Sequence, residues 1–477
     1  MFKQSKYDAV VVGSGPNGMS AAIVLAQAGC QVVVIEGQDT IGGGVRSSEL
    51  TLPGFIHDPC ASIFPLTLAS PFFSTLPLEQ YGLEWVNPKV ALAHPLDSGG
   101  PLLVERSLEI TAASLREDEK AYRRLLEPLI KDWERFRQDL LGPLPLPPRA
   151  PLTYTRFGLS ALFSASGLAR MIFRSPRTRG LFAGMAGHSQ LSLNTPGSAA
   201  FGIVLGVLAH AVGWPLPRGG AQAISNALAS YFVSLGGEIV TGLQVEKLEQ
   251  LPEYRAVLLD LAPRNFLRIL GEQLPSAYCR QLEHYRYGPG VFKIDYALDG
   301  PIPWKDEACA LAPTVHLGGT LEEIVSSEAA VNRGAHSVRP YVLVAQHTLF
   351  DPARAPDNHH TAWVYCHVPN GSQLDMTEAI EAQIEHFAPG FCRRVLAFQT
   401  RNAVQMEVYN PNYVGGDINT GVQDMWQQFT RPAVRLDPYS TPLKRIFLCS
   451  SATPPGGGVH GMCGYFAAQS ALKRLLR

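Results

Sequence analysis

The stretch YDAVVVGSGPNGMSAAIVLAQAGCQVVVIEGQDTIGGG, Tyr7 to Gly44, decides the fold of this 477-residue chain. An apolar run from Tyr7 to Val12 reads as a buried strand and leads into Gly13-Ser14-Gly15-Pro16-Asn17-Gly18. Small residues at helical spacing follow from Met19 to Ala28, and Gly29 stops them. A second apolar run, Val32 to Ile35, ends in Glu36. Gly13 allows the tight turn out of the strand, Gly15 lets backbone approach a pyrophosphate, and Gly18 lets the helix pack on the sheet. The helix N-terminus then offers free N–H groups and a positive dipole end to phosphate. Glu36 is spaced to accept hydrogen bonds from a ribose hydroxyl. Strand, glycines, helix, strand and acid in this register define a dinucleotide site.

Seven residues beyond Glu36 a second cluster, Gly42-Gly43-Gly44 with Arg46 behind it, brings more backbone N–H groups to the same pyrophosphate. That addition points to FAD rather than NAD. A third glycine run, Gly456 to Gly464, follows an apolar strand (Arg445 to Cys449) and precedes a helix from Tyr465 to Leu476. The reading is a helix N-terminus directed at the flavin ring, whose reduced form carries negative charge that a helix dipole stabilises. Gly456 to Gly461 matches the GxGxxG spacing, but no second strand and acid accompany it. Only one full fingerprint exists, which argues against a permanent nicotinamide site beside the flavin.

Lys and Arg number 40 against 41 Asp and Glu, so no basic footprint for nucleic acid is present. The eight cysteines are scattered with no CxxC pair, which argues against zinc and against a redox-active disulfide, and no metal site is expected. Met1 to Lys6 runs straight into the first strand without a secretory pattern, and a cytoplasmic protein with reduced thiols is the expectation. Asp118 to Leu140 has the apolar spacing of one amphipathic helix, ended by the proline-rich run Gly142 to Pro148. Two apolar segments, Phe157 to Phe173 and Leu191 to Pro217, are expected as buried helices lining a substrate cavity. The second carries no Asp, Glu, Lys or Arg, yet its glycines, prolines and His210 speak against a membrane span. Monotopic contact with a bilayer stays open. Gly288 to Trp304 and Arg339 to Val368 suggest a separate sheet.

With these pieces in order, the chain closely resembles the phytoene-desaturase-related FAD oxidoreductases, nearest the branch of pyridine nucleotide-disulphide oxidoreductase domain-containing protein 2. The likeness rests on VVVGSGPNG with Glu36, the glycines at 42 to 44, PGFIHDPCA (53–61), WPLPRGGAQAI (214–224), YGPGVFKIDYALDGPIPW (287–304), NPNYVGGDI (410–418) and SSATPPGGGVHGMCG (450–464). It implies an α/β fold with a Rossmann-type FAD-binding domain of the glutathione-reductase-2 or amine-oxidase kind, holding an inserted α+β substrate domain. The expected division is 1–105, 215–275 and 436–477 for the nucleotide part, and 106–214 and 276–435 for the insert.

By the same resemblance Gly13, Ser14, Gly15, Asn17, Gly18, Glu36, Gly43, Gly44 and Arg46 would hold the ADP and ribityl portions, and Val245 would meet the adenine through its backbone. Ser450, Gly458, Val459 and Met462 would lie along the ribityl chain and ring. One departure stands out: Ser450-Ser451 occupies a place where many relatives carry an acid for the ribityl hydroxyls. Two residues are catalytic candidates. Lys293, on a segment similar to one in amine oxidases, could position or deprotonate a water at the flavin, or belong to the polar face of its strand. His460 could assist proton movement or simply bond backbone. Asp58 before Pro59 reads as a helix N-cap. Tyr409, Tyr413 and Trp426 could form an aromatic wall.

The expected activity is dehydrogenation or desaturation of an apolar organic substrate by hydride transfer to flavin N5, with oxygen, a quinone or another carrier as acceptor. Two alternatives remain: an amine-oxidase-like enzyme using Lys293 and oxygen, and a flavin-binding interaction protein with little catalysis. An apolar small molecule is the expected partner.

Overall fold

The computed structural model describes residues 2–144 and 147–476. A five-stranded parallel sheet carries the strands Lys6–Val12, Val32–Ile35, Glu238–Val240, Glu253–Leu259 and Ile446–Leu448. Lys6–Val12 lies at its centre, between Val32–Ile35 and Glu253–Leu259. All but one of the residues from Tyr7 to Val12, and all of Val32 to Ile35, are buried, as expected of strands covered on both faces. Three distant stretches of chain therefore build one sheet.

The helix Pro16–Gln27 follows the first strand, with Gly15 in extended backbone at its N-cap. It packs against the helix Met462–Ala471 so closely that a methyl group on Gly464 would strike the Asn17 carbonyl. The C-terminal glycine run thus returns to the first helix because its residues lack side chains there.

A second sheet of seven strands runs in the order Val395–Arg401, Gly290–Leu298, His360–Val368, Val342–Ala345, Thr314–Leu317, Val90–His94, Leu102–Glu105. It is antiparallel except where Thr314–Leu317 meets Val90–His94 in parallel. Residues 90–94 and 102–105, grouped by sequence with the nucleotide stretches, therefore lie in the second sheet, because their pairing partner is the distant strand Thr314–Leu317.

Between the sheets' connecting segments sits a helical layer: Glu119–Lys131, Trp133–Leu140, Pro151–Ala161, Ala165–Ile172, Pro176–Gly187 and Ala199–Ala211. The single helix expected over 118–140 is interrupted at Asp132, although Tyr122, Leu126, Leu129, Trp133 and Phe136 all stay buried along its inner face. Of the proline-rich break, Pro145 and Leu146 lie outside the described residues. The apolar run 191–217 supplies a 13-residue helix, and no helix among the described residues is long and apolar enough to cross a membrane.

Candidate functional site

The glycine loop closes as its spacing predicts. Gly13 has φ +102°, and a methyl group on Gly18 would collide with the Gly13 carbonyl. Gly43, at φ +57°, stands so near Gly15 that an added Cβ would lie 3.0 Å from the Gly15 Cα. The two glycine clusters therefore face each other across one narrow cleft, lined also by Val12, Glu36, Arg46, Val245, Asp260 and Ser450.

Glu36 is held at the end of its strand by three donors. Its carboxylate accepts from the Ser14 N–H at 2.9 Å, the Ser14 hydroxyl at 2.6 Å and the Gln38 N–H at 3.0 Å. Arg46 Nη2 lies 3.6 Å away, and its guanidinium sits 5.7 Å from the Tyr409 ring. The Ser14 hydroxyl also accepts from the Gly42 N–H at 3.1 Å. Ser14, expected as a cofactor contact, is 1% exposed and spends its hydrogen bonds joining Glu36 to the second glycine cluster. Its work is to hold the loop.

Asp260 is the polar group in the cleft that sequence reasoning missed. It follows the strand Glu253–Leu259, and its Oδ2 accepts from the Gly18 N–H at 3.0 Å, at the N-terminal turn of the first helix. Burial raises its carboxyl to about 7; the Gly18 bond opposes this and the nearby Glu36 adds to it. The acid is thus half-neutral near physiological pH, in a loop built for anions.

From the C-terminal side, Ser450 lines the cleft and donates to the Leu261 carbonyl at 2.7 Å. Ser451, its neighbour, accepts from Asn17 Nδ2 at 3.2 Å, leaving Asn17 Oδ1 buried without a partner among the described residues. Gly458 and Val459 line a second, larger cavity, and the Val459 carbonyl accepts from the Thr67 hydroxyl at 2.6 Å. Met462 opens the terminal helix, and its N–H donates to His460 Nδ1 at 3.1 Å. His460 Nε2 lies 3.2 Å from the Gly456 carbonyl. Both ring nitrogens are committed to the loop's own backbone, and burial lowers the imidazole to about 4, so it is neutral.

Lys293 and Asp295 are neighbours on the same face of the strand Gly290–Leu298, and both are buried rather than forming a solvated polar face. Their side chains form an ion pair. Lys293 Nζ also lies 5.4 Å from the Trp363 ring, and His57 Nδ1 lies 3.7 Å from Asp295. Burial lowers the Lys293 ammonium, while Asp295 opposes that shift. Trp363 lines the larger cavity and Lys293 does not.

That cavity holds about 640 Å³, within the range of small-molecule sites. Phe64, Leu66, Phe157, Val204 and Leu343 contribute to its wall, and it shares Asn17, Gly44, Tyr413, Thr420 and Ser451 with the narrow cleft. The two spaces adjoin at those residues. No Asp, Glu, Lys or Arg is among the described residues lining it. Tyr413 lines both spaces and Tyr409 the cleft, whereas Trp426 is 74% exposed and outside the lining. Of the two histidines in the apolar region, His188 lines the cavity, while His210 bonds the Tyr122 hydroxyl at 2.9 Å.

A buried charge cluster braces the site from outside. Asp58 does not cap a helix, since none begins at Pro59. It accepts instead from Arg354 Nη1 at 2.7 Å, the Ser47 hydroxyl at 2.6 Å, the Ser62 hydroxyl at 2.7 Å and the Ala221 N–H at 2.9 Å. Arg354 also donates to Asp351 at 3.2 Å and the Pro217 carbonyl at 3.1 Å, and Asp351 accepts from the Gly219 N–H at 2.7 Å. Burial alone would raise the Asp58 carboxyl, but Arg354 overcomes it and holds the group at about 2. The cluster joins PGFIHDPCA and WPLPRGGAQAI to residues 347–354. Those two motifs were the available signal, although their partner Arg354 was not.

A dinucleotide fits these residues: cleft-facing glycines that a Cβ would obstruct, a helix N-terminus, and an unpartnered Asn17 Oδ1 where the cleft opens into the cavity.

The family model for an NAD(P)-binding Rossmann-like domain matches residues 11–75. Over 98% of its length the chain is 26% identical to the mouse pyridine nucleotide-disulfide oxidoreductase domain-containing protein 2, covering 94% of that protein. It is 26% identical to a phytoene dehydrogenase of Streptomyces griseus over 76% of this chain and 73% of the relative. The solved structure of a putrescine oxidase bound to putrescine superposes on 98% of this chain and 99% of its own with a TM-score of 0.62 at 17% identity, a likeness of fold. Along nearly its whole length the chain is thus similar to the pyridine nucleotide-disulfide oxidoreductase domain-containing protein 2 relatives, with a Rossmann-like dinucleotide segment near its start and a fold shared with the putrescine oxidase.

Proposed function

We propose that this protein is an FAD-dependent oxidoreductase that dehydrogenates an apolar, uncharged organic substrate. The observation that carries this reading is the 640 Å³ cavity, free of charged side chains among the described residues and sharing part of its wall with the dinucleotide cleft. FAD would supply a hydride acceptor at N5, with oxygen, a quinone or another carrier taking the electrons onward. Gly15, Gly43, Gly44, Asn17, Glu36, Arg46, Val245 and Ser450 would bind its ADP and ribityl parts, and Gly458, Val459 and Met462 would lie near the ring. The apolar wall orients substrate and excludes water from the reacting carbon.

The alternative chemistries named by the relatives, an amine oxidation and a hydrocarbon dehydrogenation, make opposite demands on the wall. An alkylammonium buried in this cavity would meet no carboxylate, and burying an unpaired charge is costly. Lys293, ion-paired behind Trp363, and His460, bonded through both nitrogens, support the site rather than carry protons in this reading.

Access to the cavity supports peripheral contact with a bilayer. Leu144, Leu162 and Phe429 line the cavity yet stand exposed at its mouth. The stretch between Asp139 and Glu238, which supplies Leu144 and Leu162, holds seven arginines and no acidic residue, although Arg170 and Arg218 pair with Glu322 and Glu84.

The test is to purify the protein, record its visible spectrum and titrate it anaerobically with apolar alkenes, alcohols and amines. A flavin spectrum bleached by uncharged substrates supports the proposal. Bleaching by amines alone, with peroxide formed on readmitting air, would select the amine-oxidase reading. A tight flavin that none of them bleaches would select an interaction protein, and a colourless protein that FAD cannot reconstitute would end the flavin reading.

A further inference from the structure

Four residues that line the apolar cavity carry buried polar atoms with no hydrogen-bond partner among the described residues: Asn17 Oδ1, Gln190 Oε1, Trp214 Nε1 and Thr314 Oγ1. Asn17 belongs to the dinucleotide end. The other three belong to segments that meet at a pair of histidines whose rings pack 4.9 Å apart at a tilt of 53°. His188 Nε2 lies 2.9 Å from His316 Nε2, and the Trp214 ring centroid is 5.8 Å from that of His188 and 5.9 Å from that of His316. Thr314 lies two residues before His316 on the strand Thr314–Leu317, so their side chains share a face. Gln190 lies two residues after His188 and is 3% exposed; Trp214 is 2% and Thr314 4% exposed.

Buried polar atoms are almost always satisfied, so three orphans in one wall of an apolar cavity call for an explanation. Gln190 adds a second sign. It holds φ +59°, a left-handed conformation that a side chain with a Cβ rarely adopts, and such strain concentrates where a group is positioned for function. Its backbone is clamped there, with its N–H donating to the Gly187 carbonyl at 3.0 Å and its carbonyl accepting from Asn332 Nδ2 at 3.1 Å. The side-chain amide is left free.

The inventory of the three atoms is selective. An indole N–H can only donate, an amide oxygen can only accept, and a threonine hydroxyl does either. With the Gln190 amide oriented as it stands, a carbonyl or ether oxygen would leave Oε1 unmet and would need the amide to turn its NH2 inward, and an ammonium would leave the Trp214 N–H unmet in either orientation. A hydroxyl accepts from Trp214, donates to Gln190 and uses Thr314 in whichever sense remains. We infer that this wall is a subsite for a neutral hydroxyl group carried on an otherwise apolar substrate, set by Trp214, Gln190 and Thr314 and backed by the His188–His316 pair. The inference rests on the apolar-substrate reading above and narrows it.

The test uses the flavin-loaded full chain and a matched pair of probes, cyclohexanol and cyclohexane, with binding followed by calorimetry. Trp214→Phe removes one donor and keeps most of the ring, and Thr314→Val removes one hydroxyl at nearly constant volume. Each is expected to weaken cyclohexanol roughly tenfold, the worth of about one buried hydrogen bond, and to leave cyclohexane within about twofold. Unchanged cyclohexane binding also shows that the variant cavity is intact. If both variants weaken the two probes equally, or neither weakens cyclohexanol, the hydroxyl subsite is overturned while the apolar-substrate reading stands. If the wild type binds neither probe, both fall together.

Discussion

Replacing Arg354 by Met tests whether the buried charge cluster holds the two halves of the site together. Arg354 is fully buried and donates to Asp58, Asp351 and the Pro217 carbonyl. Methionine fills similar volume but leaves the fully buried Asp58 without its arginine and the fully buried Asp351 with only Arg218, 4.0 Å away. Removing one member of a buried ion pair typically costs about 3 to 5 kcal/mol, because the remaining charge is stranded rather than solvated. For a chain of 477 residues the unfolding entropy makes roughly 1 kcal/mol worth about one degree, so Tm should fall by about 3 to 5 °C if the chain melts as one unit. The sign of the pH dependence gives a second check. In the wild type Asp58 is held at about 2, below its ordinary value, so its contribution is present above about pH 4 and lost as pH falls toward 2. In the variant burial acts on Asp58 against its remaining hydrogen bonds alone and raises it relative to wild type, so the deficit should be larger at pH 8 than at pH 5. Adding Asp58→Asn to Arg354→Met should then recover part of the loss at pH 8, because it removes a stranded charge. Differential scanning calorimetry of the three proteins at both pH values decides the matter. An Arg354→Met protein melting within one degree of wild type at pH 8, or a double variant less stable than the single one, would refute the reasoning.

Asp260→Asn keeps an oxygen for the Gly18 N–H while deleting the charge. Because the folded carboxyl titrates about three units above its ordinary value, the contribution of Asp260 to stability is fully present below about pH 4 and is lost as pH rises toward 7. The variant should be more stable at pH 8 by up to about 4 kcal/mol in urea unfolding of the cofactor-free protein, with little difference at pH 4, and should release FAD more slowly; a variant no more stable at pH 8 removes the argument. Lys293→Met should lower Tm by stranding Asp295, yet leave turnover of the folded protein and flavin reoxidation within about threefold in stopped-flow assays. A hundredfold slower reoxidation would instead put the lysine at the flavin. Gly464→Ala should abolish retention of FAD on gel filtration, since its methyl group falls on the Asn17 carbonyl where the terminal helix meets the first; retention at wild-type level would mean the helices can separate without harm.

Much of the nucleotide half was legible because its signals are local. Gly13, Gly15 and Gly18 each answer a backbone demand within six residues, and Glu36 closes a unit only 24 residues from Val12. What sequence could not show was how the polar groups there divide their bonds. Ser14 reads as a phosphate contact until Glu36 and Gly42 are seen to consume it, and Asp260 is invisible until a strand that begins at Glu253 delivers it to the helix N-terminus. Long-range pairing defeats local reading in the same way at the boundary near residue 105, where Val90–His94 joins the second sheet only through Thr314–Leu317. The Asp58–Arg354 pair spans 296 residues, and no periodicity links two ends of such a contact. The substrate cavity is a different case. Its walls come from helices, strands and the C-terminal loop, and each segment alone looks like ordinary core. Only their assembly shows that no Asp, Glu, Lys or Arg lines it among the described residues while four hydrogen-bonding atoms of its wall are left without partners there. A core can tolerate neither a void of this size nor orphaned donors without cost, so the combination is the mark of a space kept for a ligand. Selection for that ligand acts on a surface that no single stretch of the sequence contains.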